Sequence, residues 1–282
     1  MRKIIRYLSR YIRDVSNCVY LLTVGMCKRN CRALLDEVSC RIRALQTSSV
    51  SASASSIPQA VCRQIPEVSA KEVVGDATHI HLMEPDCVDG NVTGYELAIF
   101  NLLIARRQPE TCFEIGTFDG RTTLNMAANA SEKAIIFTLD LPRAHIQSAQ
   151  LKLEKYDVQY IQKQSSGTRY HGTKWESQIH QLYGDSASFD YTPYLGKCDV
   201  VFVDGSHSYD YLKNDTQIAL KLIVPHYGMI IWHDYGSPCW EGVTRALNEL
   251  HDHIPELKSM VCIKGTTLAV YQSKPPIVNG AS

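Results

Sequence analysis

The stretch that decides the fold is Phe113–Ala127, FEIGTFDGRTTLNMA. A short apolar run leads into a turn with two glycines, and a helix-forming run follows. Glycines at the mouth of a strand let backbone approach a bound ligand closely. The spacing is E-x-G-x-x-x-G, with Glu114, Gly116 and Gly120, and not the G-x-G-x-x-G that holds a pyrophosphate at a helix start. Glu114 and Asp119 would repel a phosphate. They suit a ligand with positive charge and hydroxyl groups.

Outward from this turn, apolar runs alternate with helical segments. The expected strands are TCFEI, AIIFTLD, IHQLYGD, CDVVFVD and GMIIWHD, followed by MVCIKG and TTLAVYQ as a closing hairpin. Runs that are apolar on both faces suit a parallel sheet covered by helices. The expected fold is α/β: a doubly wound, mostly parallel, seven-stranded Rossmann-like sheet with a C-terminal antiparallel hairpin. Ahead of it, TGYELAIFNLLIARR opens with Thr93 and Glu96 at capping-box spacing. The acids Glu114, Asp140, Asp185, Asp204 and Asp234 close the five runs, at the edge where open α/β sheets bind ligands. Asp140 lies 24 positions after Gly116, where a ribose diol is usually held. An amine, a sulfonium and a ribose together describe S-adenosylmethionine.

The ends of the chain differ from this body. Residues 1–50 hold ten Lys/Arg and three Asp/Glu, whereas the rest holds nineteen and twenty-six. The acidic body gives no electrostatic reason for a nucleic-acid partner. Ile5, Leu8, Ile12, Val15, Val19, Leu22 and Met26 fall three or four apart, and Leu35, Val38, Ile42 and Leu45 continue the pattern. Residues 1–46 therefore read as a basic helical arm. It could pack on the body, pair with a second copy, rest on a membrane surface or serve as a transit peptide. The Ser-rich residues 47–60 read as a linker, 61–273 as the globular domain and 274–282 as a flexible tail. Ten scattered cysteines without a CxxC pair suit reduced thiols in a cytoplasmic protein. No run reaches the roughly 18 apolar residues needed to span a bilayer.

From Gly90 to Tyr271 the chain resembles the class I S-adenosylmethionine-dependent methyltransferases, and more closely the group called methyltransferase family 24. The resembling text is FEIGTFDGRTTLNMA, FTLDLP, YGDSASFDYTPYLGKCDVVFVDGSHSYDYLKNDT, GMIIWHDY and GVTRALNEL, in order and with natural spacing. The resemblance implies S-adenosylmethionine as cofactor. Gly116 and Gly120 would let backbone approach it, with Glu114 near the methionine end and Asp119 a further cofactor-binding candidate. Asp140 would bind the ribose and Asp185 would lie near the adenine. The order also resembles catechol O-methyltransferase-like enzymes, which implies Asp204 and Asp234 as ligands of a magnesium ion and His207 as base. The text WHDY replaces their Asp-Asn or Asp-Asp and brings in His233, a softer ligand than Mg²⁺ prefers. With an ion, the acceptor would be held and acidified. Without one, His207 or His233 paired with a carboxylate would take the proton. The expected reaction is O-methylation of a small-molecule or sugar hydroxyl, with a metal-free N- or O-methyltransferase and a non-catalytic module as alternatives. Two further features bear on the acceptor. The polar run QSSGTRYHGTKW, within the 38 residues between Asp140 and Ile179, suits either a lid or a surface insertion. Tyr235 and Trp240 are candidates to stack on a ring of the acceptor.

Overall fold

The computed structural model describes residues 61–76 and 79–273. The arm, the linker and the tail lie outside the described residues. Eight strands form one sheet: β1 (Glu67–Val68), β2 (Thr111–Ile115), β3 (Ile135–Asp140), β4 (Ile179–Tyr183), β5 (Val200–Val203), β6 (Met229–Trp232), β7 (Val261–Ile263) and β8 (Ala269–Gln272). The spatial order is β1-β7-β8-β6-β5-β2-β3-β4. Only β8 runs against its neighbours, pairing antiparallel with both β6 and β7. The sheet thus has one strand more than expected. Strand β1 is two residues long, too short for a period-two pattern to show, and it pairs parallel with β7 at the edge.

The runs that are apolar on both faces are buried between two helical layers. Phe113, Ile115, Val201, Val203, Ile230 and Trp232 pack toward α5 (Tyr209–Leu222) and α6 (Glu241–His253). The alternate residues Cys112, Val200, Phe202, Met229 and Ile231 pack toward α2 (Gly94–Arg107) and α3 (Arg121–Asn129). This alternation follows from the strand period of two, and it is what doubly wound means in side chains. Helix α2 starts with the expected capping box, Thr93 and Glu96 each bonded to the other's backbone N–H. The remaining helices are α1 (Ala70–Val74) and α4 (Asp157–Ile161), the latter in the long connection between β3 and β4.

Chain order reverses at β2, which has β3 on one side and β5 on the other. Ligands bind outside the carboxyl ends of strands at such a switch point. Gly116 has φ +101°, and a Cβ there would lie 2.0 Å from the Asp204 carbonyl oxygen. The ends of β2 and β5 are therefore in direct backbone contact. Gly116→Ala combines a forbidden overlap with a strained φ, and the expected loss is about 3 kcal/mol of folding stability in a denaturant melt.

Candidate active site

Glu114 points to the α3 side of the sheet and is 0% exposed. Its carboxylate accepts hydroxyl hydrogen bonds from Thr122 at 2.6 Å, from Thr138 at 2.5 Å and from Thr123. Burial outweighs these donors and pushes its pKa up to about 7. Its side chain is thus committed to binding α3 to β2 and β3, and it does not face the crevice. Asp119 caps the start of α3: Oδ1 accepts from the Arg121 N–H at 3.1 Å and from the Asn91 amide at 3.1 Å. Its other oxygen takes Arg169 Nε at 2.7 Å.

Asp140 ends β3 and is 7% exposed. Its Oδ2 receives the Lys163 ammonium at 2.8 Å and the Ser166 hydroxyl. A cation and a hydroxyl are thus gathered on the carboxylate expected to hold a ribose. A carboxylate at this place can accept hydroxyl hydrogen bonds such as those of a ribose, and here it accepts donors of the chain's own. Asp185 forms an Asx turn, accepting the Ala187 N–H at 2.9 Å, and also takes the Tyr211 hydroxyl at 2.9 Å and the Gln150 N–H at 2.7 Å.

The ends of β5 and β6 bring the other predicted residues together. Asp234, at φ +62°, holds a left-handed conformation that a non-glycine residue seldom adopts. His207 donates from Nδ1 to Asp157 at 2.6 Å and from Nε2 to Asp234 at 3.0 Å. His233 Nδ1 lies 3.1 Å from both Asp204 and Asp234, and its Nε2 is 3.5 Å from Glu96. Burial opposes charge on His207, but Asp157 and Asp234 push its pKa up to about 10. Asp234 and Asp204 overcome the same penalty at His233 and raise it well above its usual range. Although burial acts against it, Glu96 is held down to about 2 by His233 and by the Thr267 and Thr93 N–H groups. Both imidazoles are therefore charged at neutral pH, each lodged between carboxylates.

Two members of this cluster, Asp157 and Glu96, escaped the sequence reading. Glu96 gave a signal, but its capping-box pattern accounted for it. Asp157 lies 50 positions from His207 in an irregular insertion, and nothing local marks it. It also accepts the His207 backbone N–H at 3.0 Å and the Ser206 hydroxyl at 2.6 Å. The two aromatic candidates are otherwise employed. Tyr235 is 0% exposed, and its hydroxyl binds the Gln64 and Ile65 N–H groups and Asn248. Trp240 stacks on His207 itself, with ring centroids 4.1 Å apart.

One oxygen or nitrogen from each of Asp204, His207 and Asp234 lies within 4.8 Å of the others, a donor set able to hold a divalent cation. The repulsion between Asp204 and Asp234 is already relieved by the His233 imidazolium between them. The pair of acids therefore does not by itself demand an ion.

Residues 113–235 match the family model described as a methyltransferase domain, a span that runs from the glycine turn to just beyond Asp234. Over that span, and on the doubly wound sheet that carries it, the chain is similar to methyltransferase domains. No curated protein matches the sequence. Among solved structures, the chain is similar to the O-methyltransferase TomG of Streptomyces achromogenes, solved with S-adenosylmethionine. The identity is 18%, covering 75% of this chain and 92% of that one, with a TM-score of 0.45. The methyltransferase PaMTH1 of Podospora anserina, bound to S-adenosylhomocysteine, gives 16% identity over 85% and 97%, with a TM-score of 0.48. An O-methyltransferase of Bacillus cereus gives 14% over 66% and 84%, with a TM-score of 0.43.

The raised pKa of His207 links the cluster to stability. Its contribution is fully present below the ordinary value of 6.5 and is lost as pH rises through about 10. The melting temperature of the wild type should fall between pH 7 and 10 by more than that of His207→Gln, compared by calorimetry at matched ionic strength.

Proposed function

We propose that the chain transfers a methyl group to a hydroxyl of a small molecule or sugar, with the histidine–carboxylate cluster as the acceptor site. The observation that supports this is the placement of His207 and His233, each between two carboxylates, at the ends of β5 and β6 beside the switch point. Methyl transfer is an in-line displacement at the sulfonium carbon. The acceptor oxygen must be brought to about 3 Å from that carbon and must lose its proton. S-adenosylmethionine supplies the electrophilic methyl group. Asp140, the Gly116–Gly120 turn and the loop at Asp185 are the residues that would hold it.

In this reading Asp157 fixes the His207 ring through Nδ1 and Trp240 covers one face, so that Nε2 is the atom that exchanges protons. With a conjugate acid near pH 10, His207 is a strong base that is seldom free at neutral pH. A cation held by Asp204, His207 and Asp234 is a second reading, favoured by the compactness of that donor set. It would polarise the acceptor hydroxyl and leave His233 as the base. The mixed imidazole and carboxylate donors suit Mn²⁺ better than Mg²⁺. An N-methyl acceptor uses the same cleft and is distinguished by product analysis.

Among the described residues no helix is long and apolar enough to cross a membrane. The basic spacing of residues 1–46 is the ground for proposing that the arm docks on a membrane surface or on a second copy.

By calorimetry the protein should bind S-adenosylhomocysteine, and Asp140→Ala should weaken binding by about 1–3 kcal/mol. The absence of heat and of any thermal shift with either form of the cofactor would refute the assignment. With an acceptor in hand, pH separates the two chemistries. If His207 is the base, kcat/KM climbs about tenfold per unit from pH 7 towards 10 and is indifferent to chelator. If a cation is used, chelator abolishes turnover and Mn²⁺ restores it.

A further inference from the structure

The polar run after α4 lies directly on the cofactor elements. The Gly167 N–H donates to the Phe118 carbonyl at 3.0 Å, and the Arg169 N–H to the Asp119 carbonyl at 2.9 Å. Both carbonyls belong to the glycine turn. A Cβ on Gly120 would sit 2.7 Å from the Gly167 Cα, so the two backbones touch. Four residues earlier in the chain, Lys163 reaches Asp140 at 2.8 Å, with its side chain 16% exposed, and Ser166 shares the same oxygen. One short segment thus engages both features assigned to the cofactor, the turn and the ribose carboxylate.

The segment is held unequally. On the C-terminal side, Arg169 is paired with Asp119 at 2.7 Å and Glu84 at 2.9 Å, and the buried Tyr170 donates its hydroxyl to Gln181 at 2.7 Å. On the N-terminal side, α4 is tied down by Asp157 on His207 and by Tyr160 on Phe118 and Asp89, and between α4 and Gly167 the hold on Asp140 is the Lys163 ammonium and the Ser166 hydroxyl. Lysine carries its charge on a flexible stem and can leave without disturbing the backbone. Between the two halves stands Gly167 at φ +69°, a conformation that suits a pivot.

We propose that Lys163 and Ser166 are an internal competitor for the cofactor. They occupy Asp140 when the segment is down and give it up to the ribose hydroxyls when cofactor binds. The inference rests on the cofactor reading above. Its energetic consequence is that the apparent affinity is the intrinsic one reduced by the fraction of molecules in which Asp140 is free.

The test uses the full chain and S-adenosylhomocysteine. By calorimetry Lys163→Met should bind about tenfold more tightly than the wild type, and Ser166→Ala should shift in the same direction. On the unmutated protein, an amine-reactive probe read by mass spectrometry should label Lys163 slowly alone and several-fold faster with saturating S-adenosylhomocysteine. Equal or weaker binding by Lys163→Met, or slower labelling in the complex, overturns the competition and leaves the cofactor assignment standing. Failure of the folded wild type and the folded variant alike to bind overturns both.

Discussion

The contact between the Gly116 backbone and the Asp204 carbonyl joins the two halves of the site. It lets β2 and β5 end side by side at the switch point, with no side chain between them. On one side of this contact lies the glycine turn and, through β3, Asp140. On the other lie Asp204 and, through β6, Asp234. The proposed methyl transfer needs donor and acceptor held in line at bonding distance, and a backbone contact is the least compressible way to set that spacing.

The histidine–carboxylate cluster is governed by charge. Glu96, Asp157, Asp204 and Asp234 surround two largely buried imidazoles. Glu96 and Asp234 are kept ionised by the histidines, and each histidine is kept protonated by carboxylates. Protons on the histidines and any divalent cation would compete for the same oxygens. The left-handed backbone of Asp234 is the strain accepted to aim its carboxylate at both rings.

The connection between β3 and β4 serves both halves. Its helix α4 delivers Asp157 to His207, and the segment after that helix delivers Lys163 and Ser166 to Asp140. A segment with little regular structure of its own is thereby tied at one end to the histidine–carboxylate cluster and at the other to the glycine turn and Asp140. Motion of the segment would be felt at both.

The sequence by itself determined the sheet, its two helical layers and the gathering of acids along one edge. These depend on periods of two and 3.6 and on capping and glycine signals, all of which act within a few residues. Asp204 and Asp234 were legible because each stands just beyond a strand end, and His207 and His233 through the family resemblance. Only the tertiary structure decided how the acids divide. Glu114 turned inward to three threonines, Asp119 and Asp185 became capping and turn residues, and Asp140 was met by a lysine of the same chain. The pairings of Asp157, Glu96 and Lys163 were not readable because their partners lie 50, 137 and 23 positions away. Which carboxylate meets which cation depends on where the loops fold back across the sheet, and local periodicity carries no record of that.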